Sequence, residues 1–524
     1  MSVADASPDA QPGKVAKRLA VTQWSVVVLV GAVVIAIVLG LNLIPRLDAG
    51  QKVLNAAKPA FATQRLEGDE AGINFVSQDV NMADPLVTPQ GGAAAEVPAL
   101  VAYVATKEHV TDAKALALLQ KLFPHTTALL EAIPLSGITA EIPGLVAFLS
   151  KELNLSGAQV LAALKANFPA LAQAITNLPA VTENWYSVPG TDSLTRFDGS
   201  PVRSVPQIRT YFQSDVIPAL KSQQGNFRAL DGTSTVDWIA PLLLAVGIIV
   251  VLVGTLMIVR NLRGVSRTEA IWTTSIVPLV GVFVLVLTLG LSLSPRVVKG
   301  QHLLDGLKPA FAAQRVAGDR AAVTEVTAIV NTEDPLMTPA GGAAAEVPKL
   351  IAFVAQKTGL SQAAVVAALQ KNFPHTTALL EALPLSAVSA ELPKVVATLG
   401  PAALPLIPRL AQTIANAPAV TGGWEDIPGL GSMTRFDGTP VRSMPQLQTY
   451  LADDLVPVLE TQRAHYDQLT SQSNIDWIGI VVLMVAIVVV EFGLLMVYTA
   501  HKTHPLEGPA SGSLRRNGRA VAHG

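Results

Sequence analysis

The chain contains no cysteine. That excludes disulfide bonds, thiolate metal sites and thiol nucleophiles, so any part outside a membrane is held by packing and hydrogen bonds alone. Charge is scarce too: charged residues are 15% of the 524 positions, and 37 basic side chains nearly balance 39 acidic ones. With no concentrated basic patch, nothing points to nucleic acid. No catalytic signature is legible. Nucleophile, base and orienter do not recur in a recognisable spacing, and no histidine or acidic cluster has metal-ligand spacing. The expectation is a non-enzyme without catalytic residues, cofactor or metal.

What the chain has in excess is apolar sequence, gathered into four runs at 24–44, 238–259, 272–293 and 477–498. Each is long enough to cross a hydrocarbon core of about 30 Å as a helix. Each opens on a tryptophan, Trp24, Trp238, Trp272 or Trp477, which suits the belt where amphipathic rings sit among headgroups. Asp237 and Asp476 are placed to cap the second and fourth helices. In the first run, Ala32, Ala36 and Gly40 have the four-residue spacing that lets helices approach closely.

Short basic segments set the orientation. Lys14, Lys17 and Arg18, then Arg260, Arg263 and Arg267, then Lys502, Arg515, Arg516 and Arg519 assign the tails 1–23 and 499–524 and the connector 260–271 to the cytoplasmic side. The long segments 45–237 and 294–476 then lie outside the cell membrane. The first run has a counterpart in the third, so it reads as a retained span rather than a removed signal.

The chain also repeats itself. Residues 51–150 align without a gap onto 301–400, an offset of 250, with roughly 57 identical positions in those 100. DPLVTPQGGAAAEVP at Asp84 becomes DPLMTPAGGAAAEVP at Asp334, and KLFPHTTALLEAIPLS at Lys121 becomes KNFPHTTALLEALPLS at Lys371. Two spans per half give both halves the same orientation, so the duplication is parallel. A finer repeat of about 45 residues begins at Glu96, Glu141, Glu346 and Glu391, and its last copy lacks eleven residues.

Each unit reads as three short helices. The first starts near a proline, Pro98, Pro143, Pro348 or Pro393; the second starts at Thr111, Ser156 or Ser361 and stops at Phe-Pro; the third ends before a further proline. Beyond the units, SLTRFDGSPVRS at Ser193 and SMTRFDGTPVRS at Ser432 predict a small β-hairpin around Asp-Gly. Ser204 and Ser443 then open a helix. The expected fold is an all-α membrane protein with four transmembrane helices and two homologous, mainly helical extracytoplasmic domains, each with a small hairpin.

Few residues escape this scaffold. His125 and His375 follow the recurring Phe-Pro, where the next unit has Ala170 or Arg409, so the unit does not itself require histidine. They are also the only recurring candidate bases, although a polar residue at a helix start is a sufficient account. Gly91-Gly92 and Gly341-Gly342 precede a helix but lack the other parts of a phosphate loop. Arg196, Arg203, Arg435 and Arg442 flank the predicted hairpins and can face a partner or headgroups. Trp185 and Trp424 are expected to anchor packing there. Glu491 is the one formal charge within the apolar runs, and its counterpart is Leu252. Pairing with Arg260 or Arg263, protonation or a transport role are open to it.

The functional expectation is an envelope scaffold or accessory subunit whose partners are the bilayer and one or more proteins. The alternative is a ligand- or lipid-binding sensor or transport component. A sizeable apolar cavity would favour the alternative, and a filled core the scaffold.

Overall fold

A computed structural model describes residues 12–231, 237–263, 267–290, 292–338, 341–471 and 476–503. Arg515, Arg516 and Arg519, used above for orientation, lie outside the described residues. The first half forms α1 (Pro12–Gly40), α2 (Leu43–Ala57), α3 (Thr63–Val87), α4 (Ala93–Lys107), α5 (Asp112–Leu122), α6 (Pro124–Ala132), α7 (Leu135–Leu153), α8 (Gly157–Asn167), α9 (Pro169–Asn184), α10 (Val205–Tyr211), α11 (Ile217–Leu230) and α12 (Ile239–Arg263). The second forms α13 (Arg267–Gly290), α14 (Leu293–Leu307), α15 (Ala313–Met337), α16 (Ala343–Thr358), α17 (Gln362–Asn372), α18 (Pro374–Ala382), α19 (Leu385–Leu399), α20 (Pro408–Gly423), α21 (Met444–Tyr450), α22 (Val456–Thr470) and α23 (Asp476–Thr503). These described residues fall into two compact units, one made of 12–52, 226–304 and 465–503, the other of 53–225 and 305–464.

The first unit contains four helices long and apolar enough to cross a membrane: Lys17–Gly40, Ile239–Arg263, Ile271–Gly290 and Trp477–Lys502. Within it α1 packs along α12, and α13 along α23. The close approach uses glycines other than those expected. A Cβ on Gly31 would lie 3.0 Å from the Gly247 carbonyl oxygen, and one on Gly254 would lie 2.6 Å from Val28 Cγ2. Ala32, Ala36 and Gly40 instead face outward, because the helix surface that meets α12 is one residue earlier in the turn. Trp24 also departs from the interfacial expectation. It is 1% exposed and packs with Val27, Met257, Val277 and Met496 between the four helices, whereas Trp272 is exposed. Past α1 the chain breaks at Asn42, whose φ of 51° ends the helix, and Ser292 repeats this at 49°.

In the second unit the local signals work as read for the middle helices. Thr111, Ser156 and Ser361 accept hydrogen bonds from the amides of Lys114, Gln159 and Ala364, and α5, α8 and α17 stop at Phe123, Phe168 and Phe373. The other boundaries shift. Pro98, Pro143, Pro348 and Pro393 lie inside α4, α7, α16 and α19. The helices begin earlier because the preceding residues, such as Ala93 to Ala95, are strong helix formers. Likewise α9 and α20 run through Pro179 and Pro418, while α6 and α18 do end before Pro134 and Pro384. Among the described residues there is no strand. Each Asp-Gly turn is closed by one antiparallel bridge, Thr195 to Pro201 and Thr434 to Pro440. The following Arg203 and Ser204 turn at once into the capping box of α10, which leaves no length for a ladder.

Packing in this unit runs between the halves. α3 packs on α20, α15 on α9, α6 on α18, and α7 on α16 and α18. The main core joins Phe75, Val80, Trp185 and Leu194 to Val330, Trp424, Met433 and Tyr450. One lobe combines Leu145, Val160 and Leu171 with Leu350, Val365 and Leu369; the other combines Leu100, Ala115 and Leu119 with Val395, Leu399 and Ile407. The second lobe lacks a counterpart of α8. A single turn at Leu404–Leu406 takes its place, with Ala403 and Ile407 buried beneath it.

Candidate functional site: polar groups buried between the halves

The helices α6, α9, α18 and α20 start after Phe123, Phe168, Phe373 and Ile407, none of which can cap with its side chain. Their first amides therefore need an acceptor from elsewhere. The glutamate that opens each repeat unit supplies it, always from the other half. Glu391 accepts from the Thr126 amide and hydroxyl, both at 2.8 Å, and from the His125 amide at 3.3 Å. Glu141 does the same for Thr376 and His375 at 2.8 and 3.1 Å. Glu346 accepts from Leu171 at 2.9 Å, and Glu96 from Leu410 at 2.9 Å. Each carboxylate also sits at the positive end of a helix, which strengthens the cap.

The two histidines belong to these junctions. His125 Nδ1 is 3.1 Å from the Glu381 carbonyl oxygen, and His375 Nδ1 is 3.0 Å from that of Glu131. A carbonyl only accepts, so each Nδ1 carries the proton and donates. The geometry holds the ring against the opposite half.

The arginines of the Asp-Gly turns split into two kinds. Arg196 makes a two-point contact with Asp215, Nη2 to Oδ1 at 2.7 Å and Nε to Oδ2 at 3.2 Å, and Arg435 matches it on Asp454. Both aspartates lie on π-helical turns, Phe212–Val216 and Leu451–Leu455. Among the described residues the Arg203 side chain meets only the exposed Asp192, at 2.9 Å, and Arg442 is exposed. Each turn is also gripped from the other half. Arg65 donates to the carbonyls of Thr434 and Arg435 at 2.7 and 2.6 Å and lies 5.0 Å over Phe436; Arg315 repeats this on Thr195, Arg196 and Phe197. Trp185 and Trp424 are buried and donate to Asp84 and Asp334 at 2.9 Å. Gly92 serves a tight turn: a Cβ there would lie 2.4 Å from the Thr88 carbonyl oxygen.

Between these grips lie carboxyl groups with little or no water contact. Asp69 and Asp319 are 4% and 3% exposed, and burial pushes each up to about 7, opposed by the facing tyrosine hydroxyl, Tyr450 or Tyr211, and by Arg65 or Arg315. Asp79, 2% exposed, is pushed up to about 7 by burial, and Glu333 is raised further by burial and by Asp79 beside it. A proton on either carboxyl relieves the repulsion between them. A cavity of about 60 Å³ is lined by Asp69, Asp79, Glu325 and Arg209 among apolar side chains. Asp69 Oδ2, Asp79 Oδ1, Glu325 Oε1 and Arg209 Nε have no hydrogen-bond partner among the described residues. Nor do any three His, Asp or Glu side chains converge there as a metal-binding group. The chemistry available to this cluster is gain and loss of protons.

Sequence reasoning missed this cluster because Asp69 and Asp319, which recur, carry no local mark of burial, and because the other members break the repeat. Asp79 aligns with Ile329, Glu325 with Phe75, Glu333 with Ala83 and Arg209 with Gln448. The available signal was a charge on one side of the alignment facing an apolar or neutral residue on the other. The comparisons add no relative: no protein-family model, curated protein or solved structure matches the chain.

Proposed function

We propose that this membrane protein is a non-enzymatic envelope scaffold or accessory subunit, built as a fused dimer by internal duplication. In this reading both termini and the connector 260–271 are cytoplasmic, and segments 45–237 and 294–476 form the outer part. The observation that carries it is the reciprocity of the contacts between halves. Glu391 caps α6 as Glu141 caps α18, and Arg65 grips one turn as Arg315 grips the other. Such pairing, residue i on j and j on i, is the mark of a two-fold interface. It engages the recurring histidines and arginines in assembly. Two cavities in the second unit, one beside Leu119 and Leu399 and one beside Asp69 and Asp79, hold about 60 Å³ each, well below the several hundred Å³ that a drug-sized ligand or a lipid chain needs. Purification in mild detergent with mass spectrometry of co-eluting proteins tests the reading. Reproducible recovery of the chain alone would overturn it.

A sensor reading is favoured by one observation, and its ligand is the proton. Asp69, Asp79 and Asp319 are each pushed up to about 7, so they titrate near neutrality. Hydrogen exchange on the full chain at pH 5.5 and 8 tests it. Lower protection factors in α3 and α15 at the higher pH, after correction for the intrinsic exchange rate, and a smaller difference in Asp69→Asn with Asp319→Asn, support sensing, whereas equal protection factors at both pH values remove its basis.

A further inference from the structure

Glu491 lies on the exposed face of α23, and among the described residues nothing pairs with it. Arg260, one of the two bases that the sequence offered, is engaged by Glu269 at 3.0 Å. Within the apolar run 477–498, Glu491 is about 21 Å from the first residue and about 10 Å from the last at 1.5 Å rise per residue. A glutamate side chain spans only part of the distance to the nearer end, so its carboxyl group stays within the apolar run. Above and below it, Met484, Val488, Leu495 and Tyr498 continue one exposed stripe. The equivalent stripe on α12, Ile249, Leu252, Leu256 and Val259, is exposed and wholly apolar. That face suits lipid, and the α23 face does not.

We propose that the α23 stripe is the contact surface for a transmembrane helix of a partner protein, which brings a lysine, arginine or histidine to the depth of Glu491. The inference rests on the accessory-subunit reading and names the partner's chemistry. Charge complementarity selects the occupant. Lipid tails offer no donor to a carboxylate. A second copy offers no base at that depth, since the apolar runs 24–44, 238–259, 272–293 and 477–498 contain no Lys, Arg or His.

Photo-crosslinkers placed at Val488 and Leu495, and at Ile249 and Leu256 as controls, in the full chain in its native membrane test this. The expected result is a discrete protein adduct from the α23 positions alone, whose crosslinked peptide is a membrane span containing a basic residue. Glu491→Gln should lower its yield at least about tenfold, given the cost of leaving the partner's charge unpaired in hydrocarbon. Glu491→Leu should do the same while the protein still accumulates, because leucine already occupies the equivalent position 252. Adducts to lipid only, to another copy of this chain, or to a span without a basic residue would each overturn the proposal. If proteins still co-purify while α23 yields no adduct, this inference falls and the scaffold reading stands; if nothing co-purifies, both fall.

Discussion

The two units of the molecule use the same sequence repeat in opposite ways. In the unit containing the apolar spans the main helix pairings stay within a half, α1 along α12 and α13 along α23, while side chains such as Trp24 reach the other half. In the other unit the halves exchange partners, so that helix starts, turns and core positions of one are completed by the other. The unit of the spans also carries a crossing contact just beyond the break at Asn42: Arg46 in the first half donates to the Leu469 carbonyl in the second at 2.8 Å. The difference follows from what each environment demands. An apolar helix in lipid satisfies its own backbone and needs only a close neighbour, which glycines such as Gly31 and Gly247 provide. A short helix in water has orphan amides and a half-covered apolar face, and here both needs are met across the two-fold relation.

Severing the chain gives the largest expected effect. Expressed alone, residues 1–265 or 266–524 should insert their spans but leave the rest protease-sensitive, since α3 would lack α20 and α15 would lack α9. Co-expressed as two chains, they should co-purify and regain resistance to limited proteolysis. A protease-resistant single half would break the comparison outright.

Much of this architecture was legible in the sequence, and the rest was hidden for identifiable reasons. The spans follow from apolar length, and the starts of α5, α8 and α17 from Thr111, Ser156 and Ser361, because both signals are local. The exchange was not legible, since a gapless repeat is equally compatible with two separate domains. One clue was present: α6, α9, α18 and α20 start after Phe-Pro or Ile-Pro without a capping side chain, while a glutamate opens each of the four units. Uncapped helix starts and unexplained carboxylates in equal number invite pairing. Recurrence alone did not mark the buried acids: Asp79 and Glu333 break the repeat, and Asp69 and Asp319 keep it without any local sign of burial.

The next effect is one of pH. Asp69 and Asp319 are pushed up to about 7 by burial, above an unfolded value of about 3.9. A carboxyl whose folded value is raised stabilises the fold fully below the unfolded value, and that contribution fades as pH rises through the folded one. The exchanged unit should therefore lose stability between about pH 4 and pH 7, by on the order of several kcal/mol in all. Melting curves in detergent at pH 5 and pH 8 measure it. Asp69→Asn with Asp319→Asn should flatten the dependence and melt higher than wild type at pH 8. A wild-type melting temperature that rises with pH would reverse the assignment.

Removing a cap between halves comes next. Glu391→Ala deletes three hydrogen bonds to the start of α6 and should cost about 1 to 2 kcal/mol, the range for lost helix caps. Ser156→Ala, which removes a cap within one half, should cost about 1 kcal/mol. The discriminating quantity is the coupling, read from denaturant melts of single and double variants. Glu391→Ala and Thr126→Val touch one interaction across the halves and should be non-additive, whereas Glu391→Ala and Ser156→Ala, which share no partner, should add.

The smallest effect belongs to Arg203. Its bond to Asp192 at 2.9 Å joins two exposed side chains of the same half, in contrast to the two-point contact of Arg196 with the buried Asp215 only a few residues away. An exposed pair gains little in water and loses side-chain freedom on forming, so Arg203→Ala should leave the melting curve within about 0.5 kcal/mol of wild type. Arg196→Ala should destabilise the fold clearly, because it leaves the Asp215 carboxylate buried with only the Phe197 amide at 3.0 Å to hold it. That separation makes Arg203 and Arg442 the useful pair for function: if replacing them reduces recovery of co-purifying proteins while the melting curve is unchanged, the loss reports a surface contact. If Arg203→Ala instead melts as early as Arg196→Ala, the turn is held from its outer side as well, and the grip of Arg315 from the other half is not what fixes it.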